Sequence, residues 1–152
     1  MADRSARGDR RGLTVLPAEE CLERIRTAPV GRVAFAHADE IIVLPVNHVL
    51  DGTQIAFQTT WGSKLQVAAD GARVSFEADG HDVARRAGWS VLVHGPAGLV
   101  HDQDRRARLQ ARAPIPWIPA VDNMFWVVIS PEVVSGREIR SASPAGEDAR
   151  RP

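Results

Sequence analysis

The sequence is poor in several residue types, and each shortage excludes a class of protein or structure. Its single cysteine, Cys21, cannot form an internal disulfide, and no apolar run reaches the roughly 20 residues that a membrane-spanning helix needs. Nineteen basic residues balance nineteen acidic ones, so no net charge attracts nucleic acid or an anionic membrane. We therefore expect a cytoplasmic protein that binds neither nucleic acid nor membrane.

Lysine is almost absent as well, because eighteen of the nineteen basic residues are arginine and only Lys64 is not. A GC-rich genome explains this rarity, since either residue suits an exposed surface. Its retention at one position indicates a site that requires a compact ammonium group instead of a planar guanidinium.

The length of 152 residues fits one domain of ordinary size. Residues 1–12 and 141–152 are rich in Arg, Ser, Gly, Pro and Asp and have little to bury, so we expect disordered tails there. The folded domain is predicted to cover residues 13–140.

Alternation of apolar and polar residues predicts mostly strands between the tails. The predicted strands cover residues 30–38, 40–50, 53–60, 72–79, 89–102 with a break near Gly95-Pro96, 124–130 and 133–139. Short helices are predicted at 17–28, 63–70 and 102–113. Asp51-Gly52 predicts a hairpin turn, and Pro45 an edge or bulged strand. Tight turns without βαβ alternation favour an antiparallel sheet that closes into a small barrel.

The segment TTWGSKLQ combines several features that suit a phosphate group. Ser63 begins a predicted helix, whose first turn offers free N–H groups. Thr59 and Thr60 add hydroxyl donors, and Lys64 adds a point charge. The alternative is structural, because Ser63 and Gln66 also form a capping box that needs no ligand.

Three runs together resemble one protein family: PVNHVLDGTQIAFQTTWGSKLQVAADGARVSFEAD, GWSVLVHGPAGLV and PWIPAVDNMFWVVISPEVVSGREI. In order and spacing they resemble the pyridoxamine 5'-phosphate oxidase-like flavoproteins of the FMN-binding split-barrel superfamily, and most of all their short actinobacterial members. The resemblance covers residues 13–140. It implies a mainly β fold, a six-stranded antiparallel Greek-key split barrel, which forms a homodimer with one FMN in each of two clefts between the protomers.

The resemblance also implies which residues contact the cofactor. The phosphate would be held around Ser63 and Lys64, and the ring and ribityl chain would lie along Val46, Asn47 and His48. Trp89 and Ser90 would approach from the partner subunit, with Trp126 and Arg137 as weaker candidates. The full set of expected cofactor-binding residues is Val46, Asn47, His48, Gln58, Thr59, Thr60, Ser63, Lys64, Trp89 and Ser90.

Elementary chemistry narrows this set. A flavin ring needs an apolar slot and a few hydrogen-bond donors, which Asn47 and Gln58 could supply. Neighbouring residues of a strand point to opposite faces, so Asn47 and His48 cannot both face one flavin unless the strand bulges. We favour Asn47 as the contact.

The expected function is an FMN-dependent oxidoreductase acting on a small organic substrate, with NAD(P)H as a candidate reductant. No histidine follows His101, where true pyridoxamine phosphate oxidases carry a substrate-binding Arg-x-His pattern, so we do not expect oxidation of pyridoxamine phosphate. The alternatives are a reductase that uses the deazaflavin F420 and a non-catalytic flavin- or haem-binding protein. The five histidines lack the paired spacing of a metal site, and Trp117 could either cover a cleft or only pack.

Overall fold

The computed structural model describes residues 13–60, 71–114 and 123–140. Within these ranges the chain forms two helices, α1 (Ala18–Thr27) and α2 (Gln103–Arg112). It also forms nine strands: β1 (Thr14–Leu16), β2 (Gly31–His37), β3 (Glu40–Val46), β4 (His48–Asp51), β5 (Gln54–Thr60), β6 (Arg73–Asp82), β7 (Ala87–Leu99), β8 (Met124–Ile129) and β9 (Val133–Ile139). The predicted tails and the predicted helix 63–70 lie outside the described residues, so these predictions stay untested.

All the strand pairs are antiparallel, and the mainly β prediction is confirmed. The sheet runs in the order β3-β2-β6-β7-β8-β5-β4, and β9 joins β7 to β1. β3 and β4 are the two ends of this path, yet only Asn47 separates them in the chain. A one-residue connection keeps its two strands adjacent, so the sheet must curl until its ends meet. The result is a barrel that is open between β3 and β4.

The sequence predicts one strand for the apolar run 40–50, but the structure divides it at Asn47. Among the described strands, β3 pairs only with β2 and β4 only with β5, so the expectation that Pro45 lies on an edge strand is confirmed. The predicted hairpin between the next two strands is also confirmed. Asp51 pairs with Gln54, and Gly52 takes the positive φ of 63° that a tight turn requires.

The predicted break near Gly95-Pro96 is wrong, because β7 runs without interruption through both residues. What changes there is the partner strand. Residues 88–94 pair with β9, whereas Ala97, Gly98 and Leu99 pair with β8. Gly95 permits this crossing because a Cβ at that position would collide with the carbonyl oxygen of Ser130. The Gly-Pro signal therefore marks a change of partner and not the end of a strand.

Both described helices agree with their predictions to within one residue at each end. In α1, Cys21 and Ile25 are fully buried against the sheet, as the amphipathic pattern predicts. Asp102 caps α2 by accepting a hydrogen bond from the backbone N–H of Arg105 at 2.6 Å. Leu109 is the buried side chain of α2. The arginines of this helix are exposed, except for Arg105, which is half-buried.

The barrel interior is filled by the inward residues of the strands, with Phe57, Phe76, Ile55, Val91 and Val127 fully buried. A second, smaller cluster under α2 contains Ala56, Val100, Leu109, Trp126 and Val128. In the ranges that the structure describes, no helix is long and apolar enough to cross a membrane.

Candidate functional site

The β4–β5 hairpin brings two of the predicted site segments together at its open end. Its register pairs His48 with Phe57, so Asn47 lies next to Gln58 beyond the last pair. Thr59 and Thr60 then continue β5 beside β8. Ser63 and Lys64 follow Thr60 by a few residues in the chain but lie outside the described residues. The structure thus places Asn47 and Gln58 on either side of the last hairpin pair, whereas Val46 pairs with Gly31 on β2 and Thr59 and Thr60 pair with β8.

Asn47 and His48 attach the hairpin to the end of α1 and to the residues that follow this helix. The Nδ2 of Asn47 donates to the carbonyl oxygen of Pro29 at 3.0 Å. The Nε2 of His48 lies 2.8 Å from the carbonyl oxygen of Ile25. A carbonyl only accepts, so Nε2 carries the proton in this contact. These two bonds hold the opening of the barrel against the end of α1.

The His48 ring is a polar group that is buried against an aromatic side chain. It is 7% exposed and its edge meets the Phe76 ring, with the ring centroids 5.0 Å apart. Burial lowers the pKa of His48, because the charged ring would lose its hydration. Its Nδ1 is buried without a hydrogen-bond partner among the residues that the structure describes.

The side chains at the end of β5 alternate between the two faces of the strand. Gln58 is half-buried and donates from Nε2 to the Oε1 of Gln110 on α2 at 2.9 Å. Thr59 is buried, and Thr60 is exposed. Of the two adjacent hydroxyl groups, the one of Thr60 is therefore accessible from solvent. Trp126, a weaker candidate, lies on β8 opposite Gln58 of β5 and is only 5% exposed.

Trp89 and Ser90 lie on a different part of the barrel. Trp89 is placed between Gly80 on β6 and Glu138 on β9, and Ser90 is placed between Asp79 and Arg137. This is the opposite end of β7 from the residues that pair with β8. One protomer therefore does not bring Trp89 and Ser90 to the hairpin end.

Comparison with known proteins identifies the family. The sequence profile of the family described as pyridoxamine 5'-phosphate oxidase matches residues 17–138. The chain is 37% identical over 135 residues to the uncharacterized protein Rv0080 of Mycobacterium tuberculosis, a match that covers 85% of this chain and 87% of that protein. The chain belongs to the pyridoxamine 5'-phosphate oxidase family.

Solved structures of similar proteins agree with this assignment. The FAD binding protein of Mycobacterium smegmatis superposes with a TM-score of 0.74 at 35% identity, and the match covers 84% of this chain and 98% of that one. An FAD-binding protein of Mesorhizobium loti gives a TM-score of 0.70 at 25% identity, covering 83% and 97% of the two chains. The predicted split-barrel fold class is confirmed, although the described part has nine strands instead of six.

This member of the pyridoxamine 5'-phosphate oxidase family carries an ionic cluster around Trp89 that sequence analysis missed. Glu138 is bound by Arg24, and also by the Nε of Arg140 at 2.7 Å. The Arg140 hydrogen bond and the neighbouring Arg24 charge hold the pKa of Glu138 below its ordinary value against the opposing effect of burial. Arg24 also lies over the Trp89 ring, 5.8 Å from its centroid. No local signal could reveal this, because Arg24 and Glu138 are 114 residues apart.

A cavity of about 380 Å³ lies beside this cluster, lined among others by Trp89, Gly80, Glu138 and Arg140. Gly80 leaves room for the indole, since a Cβ there would lie 2.5 Å from its Nε1. Among the described residues, no three His, Cys, Asp or Glu side chains lie close enough together to form a metal site. His94 is hydrogen-bonded to the Ser75 hydroxyl at 2.9 Å.

Proposed function

We propose that this protein binds a flavin nucleotide without a covalent link and transfers hydride or electrons to or from a small organic substrate. The observation that carries the proposal is the position of Asn47 and Gln58, which flank the His48–Phe57 pair at the open end of the β4–β5 hairpin. Support comes from the Mycobacterium smegmatis relative, which is described as an FAD binding protein and is 35% identical to this chain.

The hydrogen-bonding side chains near the end of the hairpin have the chemistry that a flavin requires. Asn47 and Gln58 carry amide groups that can hydrogen-bond the polar edge of the ring, and Val46 adds apolar surface. Thr60, Ser63 and Lys64 would hold the phosphate. A bound flavin would supply the redox chemistry itself, so the side chains bind and orient it. The His48 ring, buried against Phe76, fixes the strand from which Asn47 extends.

We propose FMN as the cofactor, in keeping with the resemblance of the TTWGSKLQ segment. FAD is the second candidate, because two relatives with at least 25% identity are described as FAD-binding. The test is to purify the protein from a host that lacks F420, record its absorption spectrum and determine the mass of the released cofactor. Bound FMN is the expected result. Release of FAD would show that the cofactor is FAD and not FMN. A colourless protein that takes up neither added flavin would leave F420 as the candidate.

We propose a homodimer whose flavin site is shared between subunits. Trp89 and Ser90 lie away from the hairpin end within one chain, which supports a site completed by the partner. The molar mass in solution, measured by light scattering, is expected to be twice 16.5 kDa. A protein that binds flavin as a strict monomer would contradict the shared site.

Turnover separates an enzyme from a carrier. We expect steady oxidation of NAD(P)H in the presence of a quinone or nitroaromatic acceptor, and we do not expect oxidation of pyridoxamine phosphate. Flavin-loaded protein that turns over with none of these acceptors would support the alternative of a flavin carrier. A reducing cytoplasmic location fits Cys21, which is a free and fully buried thiol.

A further inference from the structure

The strand β3 is apolar on both of its sides, although it lies at the edge of the sheet. Its inward side packs against the core of the barrel. On its outward side Ile41 is 81% exposed and Val43 is 55% exposed, and Pro45 is exposed as well. An antiparallel strand with one side in solvent normally alternates apolar and polar residues, whereas a continuous apolar run is typical of a strand that is covered on both sides. We therefore expect that the outward side of β3 is covered in the functional protein.

The exposed apolar residues continue across the neighbouring strands. Leu92 on β7 and Val133 on β9 also point outward and are exposed. The register of the sheet arranges the outward residues of β3, β2, β6, β7 and β9 in rows, and two of these rows define what we call the outer face. The first row is Val43, Ala34, Ser75, His94 and Val133, and the second row is Pro45, Arg32, Glu77, Leu92 and Ser135.

The charged groups at the centre of the outer face are paired with each other. The Nη1 of Arg32 on β2 lies 3.0 Å from the Oε2 of Glu77 and 2.8 Å from the Oδ1 of Asp79, both on β6. This part of the described structure therefore lacks the excess of positive charge that attracts nucleic acid or an anionic membrane. A two-fold dimer needs a surface that complements itself. Mixed charges surrounded by apolar residues meet this requirement.

The outer face also has the size that a dimer interface needs. Strands lie about 4.8 Å apart and rise about 3.3 Å per residue, so five strands of about seven residues cover roughly 550 Å² in projection. The accessible area is larger than this projection because the side chains protrude from the sheet. It thus approaches the area of about 800 Å² that each partner buries in a standard interface.

We propose that the outer face packs against the outer face of a second copy, with the two-fold axis parallel to the strands and between β2 and β6. The inference rests on the proposed homodimer and specifies its interface. Because the strand order is β3-β2-β6-β7, this axis places β2 of each copy over β6 of the other, and β3 over β7. Arg32 then meets the partner's Glu77, and Pro45 meets the partner's Leu92. An axis along β2 or along β6 would instead bring two arginines or two glutamates together, which costs free energy.

The same axis completes the proposed flavin site. Two residues beyond Pro45 the chain reaches Asn47, and two residues along β7 from Leu92, in the same direction, lies Ser90. Rotation about the axis therefore brings Ser90 next to Asn47 of the partner subunit. Within one chain these two residues are separated by the width of β2 and β6. The packing thus explains how distant residues of the chain contact one cofactor.

Cross-linking of cysteine variants of the full chain tests the position of the axis. The natural Cys21 is fully buried and should not react. In the double variant Pro45→Cys/Leu92→Cys, a short bismaleimide is expected to produce a covalent dimer, because position 45 of one copy faces position 92 of the other. Each single variant places its two cysteines three strands apart, about 14 Å, and should give no covalent dimer. A double variant without cross-linking, or single variants that cross-link equally well, would overturn the proposal.

Charge substitutions test the interface by a second route, with the molar mass read from light scattering. Val43→Glu places a charge in the outer face and should raise the dissociation constant of the dimer at least roughly tenfold. Val83→Glu is the matched control, because Val83 is 80% exposed in the turn between β6 and β7 and lies away from the outer face. An equal change in both variants would refute the interface.

The remaining outcomes separate this inference from the proposed function. A Val43→Glu protein that dimerises as tightly as the natural protein would overturn the interface and leave the homodimer. A natural protein that is monomeric would overturn both, and would mean that another segment of the same chain covers β3. Flavin binding is read from the absorption spectrum of the same samples. A protein that forms the specific cross-link without binding flavin would support the interface and contradict the proposed function.

Discussion

The Nε2 of His48 lies 2.8 Å from the carbonyl oxygen of Ile25, so the first residue of β4 is bound to the last turn of α1. The bond joins α1 to β4, which is one end of the sheet path. It also explains how a titratable ring is kept in an apolar setting beside Phe76. The hydrogen bond between β4 and α1 is therefore made by a side chain that can titrate.

The first prediction concerns stability against pH. Burial lowers the pKa of His48 from its ordinary 6.5, so below that value the unfolded chain binds a proton that the folded chain does not. The contribution of neutral His48 is complete above pH 6.5 and is lost as the pH falls through the folded pKa. The free energy of unfolding, measured with denaturant, should therefore fall between pH 7 and pH 5.

The variant His48→Gln removes the titrating ring and should lose that part of the pH dependence. At pH 7 we expect it to be less stable by about 1–2 kcal/mol, since the ring contact with Phe76 is lost. An unchanged slope in the variant would show that other groups cause the effect.

The second prediction concerns the lone lysine. Lys64→Ala should weaken flavin binding by about 1.5–3 kcal/mol, the value of a charge-assisted hydrogen bond, and leave folding intact. Lys64→Arg keeps the charge but not the compact ammonium group, so an intermediate affinity is expected. Fluorescence titration of the protein stripped of cofactor measures both. Equal affinity in all three proteins would exclude Lys64 from the site.

Local signals in the sequence predicted structure correctly. The α1 pattern and the turn at Gly52 each depend on residues close in the chain, and the structure confirms both. The family resemblance, with its order of motifs, supplied the fold class.

Features that depend on contacts between residues far apart in the sequence were not predicted. The division of the run 40–50 depends on Asn47 bonding to Pro29, and the partner change in β7 depends on Gly95 approaching Ser130. The binding of Glu138 by Arg24 joins the two ends of the domain. Hydrophobic periodicity carries no information about such pairs. Ser63 and Lys64 lie outside the described residues, so their role stays a prediction.

The third prediction compares two glycines, Gly80 on β6 and Gly98 on β7. A Cβ at Gly80 would lie 2.5 Å from the Nε1 of Trp89, so Gly80→Ala must displace the indole and should cost about 1–3 kcal/mol of stability. Gly98→Ala is the control, because no atom of the described residues lies within 4 Å of a Cβ there, and it should change stability by less than about 0.5 kcal/mol. If Trp89 completes the partner's flavin site, Gly80→Ala alone should also lower flavin affinity. Equal affinity in both variants would remove Trp89 from that site.

The fourth prediction concerns Glu138, whose side chain is 12% exposed between Arg24 and Arg140. Its pKa lies below the ordinary 4.5, first through the Arg140 hydrogen bond and also through the charge of Arg24. The carboxylate therefore contributes stability that is complete above pH 4.5 and is lost as the pH falls through the folded pKa. Glu138→Gln should cost about 1–3 kcal/mol at pH 7, mostly through Arg24 because Arg140 is largely exposed. In denaturant unfolding the difference from the natural protein should shrink as the pH falls below 4.5, and a constant difference would mean that the amide disturbs packing instead of charge.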